Sequence, residues 1–337
     1  MMFSYGGIVI VALQKTNNMF FSWGNLIKVS PDIPLQSVLQ SSSQQAEEIN
    51  RLANYFYLAA GFILLVVVVS TAYVLYKFRE NTNETAPKSL SSKWEIAMIG
   101  IPALLVAVFL YLNIKTINSV EPDHGNKTPD VIITAHQWWW EANYPSFNVI
   151  SANEIHLPAG KKILLKLLAA DVIHDWWIPQ FGNKMDMIPT QENYLWLTIK
   201  QPGEYYGICS EFCGAQHAHM RLKVIAENEE DYNNWLTQHQ QPAMNTSYSS
   251  GAQLFMSKTC GNCHSINGTQ AKGTVGPDLT HLATRKTLLA GFLENNIQNL
   301  ESLIKDPQQL KPGAYMPNFH LDDTTVKSIA VYLNSLK

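Results

Sequence analysis

The sequence predicts a multi-domain membrane protein made of a two-helix transmembrane hairpin, an all-β Greek-key barrel and an all-α C-terminal domain. Three observations predict it. Two long stretches carry no Asp, Glu, Lys or Arg. A series of short β-rich runs follows, separated by Pro/Gly/Asn clusters. After a polar linker, a last segment opens with Cys-x-x-Cys-His and closes in an amphipathic run.

The whole-chain numbers exclude several classes first. In 337 residues the apolar share is 46% and the charged share 15%, so enough apolar surface exists to offset ordering entropy, and intrinsic disorder is excluded. A net charge of −3 argues against nucleic acid as a partner. Four Cys are too few to staple so long a chain. The charge is uneven: residues 121–240 carry eight Lys/Arg against fifteen Asp/Glu, and residues 248–337 carry eight against six. An acidic middle and a basic end either attract each other or steer a charged partner.

The hairpin is assigned to 51–120. Between Arg51 and Lys77 lie 25 residues without a charged side chain, and between Glu95 and Lys115 lie 19. Each run can cross a ~30 Å hydrocarbon core as a helix. Leu, Val and Ile ring every face, which speaks against buried helices of a soluble core. Tyr55, Tyr57, Tyr73, Tyr76 and Tyr111 stand toward the span ends, where aromatic anchors sit in a lipid bilayer. Lys77, Arg79, Lys88 and Lys93 mark the loop between the spans as cytoplasmic. The N-terminus and everything after about residue 116 then face the extracytoplasmic side, where thiols meet an oxidising environment. Residues 1–50 read as an extracytoplasmic tail. GGIVIVAL near its start is apolar, but no Lys or Arg precedes it, so cleavage as a signal segment stays open, as does Met19 as the true start.

Residues 121–240 form the predicted barrel. VIITAHQWWW, KKILLKLLAA, YLWLTIK and RLKVIA read as strands, with turn clusters between them. The segment 227–240 reads as a short closing helix. Within this region CSEFCGAQHAHM spans 209–220. Cys209, Cys213, His217 and Met220 make a soft donor set, and His174 stands upstream in DVIHDWW. Thiolate, thioether and imidazole together suit copper, and Met points away from structural zinc. A mononuclear blue-copper site needs one Cys. The second Cys permits two sulfurs to bridge two coppers, an arrangement suited to electron transfer. The rival reading is a Cys209–Cys213 disulfide.

Carried by these residues, the chain resembles subunit II of haem–copper cytochrome c oxidases over about 35–240. The family pattern C-x-E-x-C-x3-H-x2-M is intact. The resemblance implies a cupredoxin-like domain with a dinuclear CuA centre, bridged by Cys209 and Cys213. It implies side-chain ligation by His174, His217 and Met220 and backbone-carbonyl ligation by Glu211. The Glu211 side chain is similar to one that reaches a magnesium or manganese ion at the interface with subunit I. HQWWWEANY resembles the family's aromatic strand, in which Trp138 takes the place of an exposed electron-uptake Trp, while Trp139 and Trp140 pack. Glu95 resembles a Glu at the mouth of a proton channel, with an ordinary helix-capping role as its rival, and Met98 stands where the family often has Trp. Asp171 and Asp186 resemble acidic positions near the docking surface.

Residues 241–249 read as a linker, and 250–337 as the C-terminal domain. Cys260-Gly-Asn-Cys263-His264 is the c-type haem attachment pattern: both sulfurs reach one porphyrin edge and the next residue presents imidazole to iron. No second Cys pair exists for zinc, and no βαβ context supports a thioredoxin-like pair. Met316, in a Pro-flanked loop, is the expected sixth ligand, and Met/His ligation raises the iron potential. His281 and His320 are alternatives, and Met256 is expected to fill the core. The region resembles a class I cytochrome c.

Together these readings give an electron relay: donor to covalent haem c, by way of Trp138 to CuA, and on to haem in subunit I, where O2 is reduced and protons are pumped. The resemblance is to caa-type oxidases of prokaryotic cell membranes, with subunit III and a soluble or complex-bound cytochrome c as further partners. Two alternatives stay open: the CuA subunit of another terminal reductase, of the nitric oxide reductase type, and a membrane-tethered copper carrier.

Overall fold

The computed structural model describes residues 37–79, 91–243 and 249–337. GGIVIVAL, Met19, Lys88 and the middle of the linker lie outside the described residues.

Two long helices rise from the globular part. Helix α1 covers Gln44–Lys77 and α2 covers Ser92–Val120. Their apolar windows are unburied by protein, as expected of helices whose solvent is lipid. They touch through Phe56 and Phe109, edge to face with centroids 5.0 Å apart. The first helix differs from the charge pattern in where it starts. It opens at Gln44, ahead of Arg51, because its first turn is built into the β-domain. Ser43 caps it: its hydroxyl accepts from the Ala46 N–H at 2.9 Å and donates to the Phe181 carbonyl at 2.7 Å. Such a cap contributes about 1 kcal/mol. The Gln45 side-chain oxygen accepts from the Thr198 N–H at 3.0 Å. Gly182, at φ +85°, lets Ala46 approach so closely that a Cβ there would stand 2.8 Å from its Cα. The first turn of the span is therefore anchored in the β-domain.

That domain is a sandwich of two five-stranded sheets. The first holds β1 (Val131–His136), β2 (Trp139–Tyr144), β3 (Val149–Ala152), β5 (Lys162–Ala169) and β8 (Asn193–Thr198), in the order β3-β2-β1-β5-β8. The second holds β4 (Glu154–Pro158), β6 (His174–Trp177), β7 (Lys184–Met187), β9 (Gly203–Cys209) and β10 (Arg221–Glu227), in the order β4-β10-β9-β6-β7. Alternation decides the faces: Val131, Ile133 and Ala135 of β1 and Trp140, Ala142 and Tyr144 of β2 point inward. Trp140 meets Trp176 edge to face at 5.9 Å in the core. VIITAHQWWW, expected as one strand, is a hairpin: β1 and β2 pair antiparallel with His136 opposite Trp139. Gln137 and Trp138 form the turn, and this places them at one end of the sandwich. Helix α3 (Glu229–His239) closes the domain.

The C-terminal domain packs α4 (Ser250–Ser257), α5 (Ile297–Lys305), the single turn α6 (Pro307–Leu310) and α7 (Asp323–Leu333), with a two-stranded ribbon of β11 (Thr287–Leu288) and β12 (Leu293–Glu294). Helices α4 and α7 cross tightly at Gly251, where a Cβ would stand 2.1 Å from the Ser328 carbonyl oxygen. Leu300, Ile304, Val326, Ile329 and Leu333 line its core.

Candidate metal and haem centres

The first centre forms where β6 and β9 pair. Trp176 lies opposite Cys209 in the ladder, and this register sets the His174 Nδ1 3.8 Å from the Cys209 Sγ. The chain then loops out from Cys209 and returns, closed by the Cys209 N–H to the Met220 carbonyl at 3.0 Å. Inside the loop the Cys213 Sγ lies 3.8 Å from the Cys209 Sγ, 3.6 Å from the His217 Nδ1 and 3.7 Å from the Met220 Sδ. The Glu211 carbonyl oxygen is 3.2 Å from the Cys209 Sγ. Both cysteines are free and buried, since 3.8 Å is far beyond the ~2.05 Å of a disulfide.

The donor set fits metal. Metal–sulfur and metal–imidazole bonds run near ~2.3 and ~2.0 Å, so a thiolate and an imidazole on one ion stand up to about 4.3 Å apart. The observed sulfur–nitrogen separations of 3.6 and 3.8 Å are inside that limit. His174 is held from behind: its Nε2 meets the Asp171 Oδ1 at 2.8 Å, and the other Asp171 oxygen accepts from the Gln137 N–H at 2.6 Å. That partner turns Nδ1 toward the sulfurs, the usual role of a carboxylate behind a ligating imidazole. The thiols are unequal. The hydrogen bond shared with Cys213, against the opposing effect of burial, holds the Cys209 pKa well below its ordinary value. The same bond, with burial, pushes Cys213 well above its ordinary value.

The second centre is a cleft of about 1300 Å³, counting its open mouth. Cys260, Cys263, His264 and Met316 all line it, among Leu282, Leu300 and Ile304. The Cys-x-x-Cys-His segment is a tight turn, with the Cys263 and His264 N–H groups donating to the Cys260 carbonyl at 3.1 and 3.0 Å. His264 meets the Pro277 carbonyl through Nδ1 at 2.8 Å. That bond assigns the proton to Nδ1 and leaves Nε2 as a lone-pair donor, the tautomer an iron ligand needs. Burial lowers the His264 pKa further from protonation. Gly276 clears the ring's flank, since a Cβ there would be 2.5 Å from its Cε1. The Gln308 amide ties down the Met316 loop: its Nε2 donates to the Ala314 and Met316 carbonyls at 2.6 and 2.7 Å, and its Oε1 accepts from the Gly313 N–H at 3.0 Å. His281 and His320 do not line the cleft. Met256, expected in the core, is 37% exposed.

Trp138 belongs to both centres. It lines the haem cleft and donates its Nε1–H to the Cys213 carbonyl at 3.0 Å. The expected exposed indole is instead buried, 7% accessible, because the C-terminal domain covers it. The acidic middle and basic end do meet, in the ion pair of Glu204 with Lys286, which Lys223 joins at 3.3 Å. Burial opposes ionisation of Glu204, yet these lysines and the Tyr206 hydroxyl hold its pKa down at about 2.

The remaining candidates fall elsewhere. Glu95 sits in the first turn of α2, apart from both centres. Asp171 serves His174, and Asp186 is exposed on β7. Glu211 and Phe212 are exposed on the outside of the ligand loop, Phe212 by 76%. Gln137, Glu154, Gln308, Lys311 and Tyr315, all structurally prominent here, escaped the sequence reading. Each is a lone polar or aromatic residue in a loop, at a strand end or, for Gln308, in a single helical turn, with no periodic signal.

Fold and sites together define a membrane-anchored electron-transfer protein with a copper-type β-domain and a haem-type α-domain. Two families match the chain: "Cytochrome C oxidase subunit II, periplasmic domain" over residues 149–227, and "Cytochrome c" over residues 248–337. Cytochrome c oxidase subunit 2 of Alkalihalophilus pseudofirmus is 32% identical over 82% of this chain and 84% of its own. That of Bacillus sp. strain PS3 is 30% identical over 78% of this chain and 80% of its own. Among solved structures, the periplasmic domain of subunit II of cytochrome oxidase of Bradyrhizobium japonicum is 29% identical, with a TM-score of 0.32, over 34% of this chain and 96% of its own. The chain belongs to the cytochrome c oxidase subunit 2 family and carries a cytochrome c domain at its C-terminus. The matched domains imply copper and haem as its groups, and membership implies partnership with a catalytic subunit I.

Proposed function

We propose that the chain accepts electrons for a respiratory oxidase and delivers them to subunit I. Cys260 and Cys263 would hold haem c through thioethers, with His264 and Met316 on its iron. Cys209 and Cys213 would bridge two coppers, joined by His174, His217, Met220 and the Glu211 carbonyl. When bound, these groups would supply one-electron exchange, and the residues that hold them would serve electron delivery to subunit I, where O2 reduction and proton pumping would be carried out.

The protein's own residues prepare this. Asp171 and Pro277 fix the imidazoles of His174 and His264. Burial of Cys209, Cys213 and Met220 keeps water from the soft donors. The exposed Glu211 and Phe212 suit a face that subunit I covers, where the Glu211 carboxylate would meet magnesium or manganese. Glu95, at the start of a lipid-facing helix, suits a proton path into subunit I. The lysines flanking the hairpin loop support an extracytoplasmic location for both domains in a prokaryotic cell membrane.

One observation carries the reading: a single side chain, Trp138, lines the haem cleft and hydrogen-bonds the Cys213 carbonyl. Metal and haem analysis of the purified complex tests it. Two coppers and one covalently held haem per chain are expected. A single copper, or haem that extracts into acidic acetone, overturns it.

A further inference from the structure

In the loop from Lys311 to Met316, the side chains of Lys311 and Tyr315 reach the hairpin turn at Gln137 and Trp138 while also lining the haem cleft. Its construction is unusual for a surface loop. Lys311 is 4% exposed. Its ammonium donates to the Trp138 carbonyl at 2.9 Å, the His219 carbonyl at 3.3 Å and the Leu289 carbonyl at 3.5 Å. Three donors meet three acceptors, two of them in the copper domain. The next residue is tied as well: the Pro312 carbonyl accepts from the Gln216 side chain at 2.6 Å. Gly313, Ala314 and Met316 are held by Gln308, as described above.

This leaves Tyr315 in one place. Its ring lies over the Trp138 indole, centroids 5.9 Å apart and planes 27° apart. Its hydroxyl donates to the Gln137 Oε1 at 2.6 Å. From there two short routes converge on one atom. Trp138 Nε1 and Gln137 Nε2 both donate to the Cys213 carbonyl oxygen, at 3.0 and 2.7 Å. On the other side, Tyr315 is the residue before Met316 in the chain. The tyrosine is two-thirds exposed, so core packing does not explain its size.

We propose that Tyr315 is the aromatic bridge between the haem cleft and Trp138, and that Lys311 is the positioning residue that keeps it in contact. The inference rests on the reading of the two centres given above. The net step is simple in its balance. One electron leaves the reduced haem iron and one arrives at the oxidised copper pair. The two rings couple the sites without being oxidised themselves, and no proton moves. Burying a lysine is costly, and the one used here ties the haem domain to two carbonyls of the copper domain. The same contact keeps Trp138 buried, at 7% accessible.

The experiment uses the purified complex, with copper, haem and optical spectra measured first. Haem c is reduced in a short light pulse by an added photoexcited ruthenium complex with a sacrificial amine as electron source, and its reoxidation by the copper pair is followed. Tyr315→Phe keeps the ring but removes the hydroxyl that bonds Gln137, and is expected to slow transfer less than Tyr315→Leu. Tyr315→Leu is expected to slow transfer about tenfold, equivalent to ~1.4 kcal/mol of effective barrier, with both spectra and the haem midpoint potential unchanged. Lys311→Met is expected to slow it similarly, and to raise hydrogen exchange over 137–140 and 311–316. A Tyr315→Leu complex holding both metals that transfers at the wild-type rate overturns the bridge. Wild-type exchange over those segments in Lys311→Met overturns the positioning role. Absence of copper or haem from the wild-type complex counts against the underlying assignment of the centres instead.

Discussion

The Glu154 carboxylate of the copper domain cradles Thr287 of the haem domain: it accepts from the Thr287 N–H at 2.9 Å and the Thr287 hydroxyl at 2.8 Å. The Lys286 N–H joins at 3.0 Å. Glu154 is 3% exposed. The haem domain is therefore seated by directional bonds to buried groups, at Glu154 on one side and Lys311 on the other.

Replacing Glu154 with Ala leaves these donors unpaired. Lys286 is exposed and Thr287 half-buried, so the expected cost is about 1 kcal/mol for each hydrogen bond lost. In thermal unfolding of the full chain, the haem-domain transition should separate from and precede that of the copper domain. Glu154→Gln, which keeps one acceptor oxygen, should recover part of the loss. Coincident unfolding in the Ala variant would refute a docking role.

A mildly acidic pH should loosen the same interface. His239 stacks on Trp235 with centroids 4.3 Å apart, lies tilted against His281 at 4.4 Å, and faces Thr284 of the haem domain at 3.4 Å. Burial first, then the neighbouring His281, His156 and Arg285, lowers its pKa from 6.5 to about 3. Glu227 stands beyond, paired to His156 at 2.9 Å. The folded value is the lower one, so the unfolded chain binds the extra proton between these limits. Stability from this group is complete above about pH 6.5 and is lost as pH falls toward 3. Melting temperature against pH should show this slope, and His239→Gln should flatten it.

Cys213→Ser should abolish the copper pair while leaving the haem. The hydroxyl cannot replace a thiolate that neighbours Cys209, His217 and Met220 within 3.8 Å, because soft ligands select copper. Copper per chain, measured against covalent haem, is the check; an unchanged ratio would remove Cys213 from the ligand set.

Gly276→Ala should disturb the haem iron rather than haem attachment. The new Cβ would fall 2.5 Å from the His264 Cε1, so the imidazole must move. Haem should remain bound through Cys260 and Cys263, with its axial-ligand spectrum changed. A wild-type spectrum would show that His264 does not set the iron's ligation.

The sequence by itself determined what is written locally. Two charge-free stretches of membrane length, the ligand loop from Cys209 to Met220, and Cys260-x-x-Cys263-His264 each repeat a chemical requirement at fixed short spacing, so they were legible without coordinates. The strands were legible too, except that VIITAHQWWW hides a hairpin: its apolar residues continue through the turn, and alternation does not mark where a chain reverses. Only the tertiary structure decided how far α1 reaches into the sandwich, that Asp171 stands behind His174, and that Trp138 is covered by the chain's own haem domain. Lys311 reaches Trp138 across 173 residues of sequence, and Glu154 reaches Thr287 across 133. Read in the sequence, each is an ordinary charged residue expected in water. Their burial arises from the fit of two separately folded surfaces, and no pattern along the chain encodes that fit.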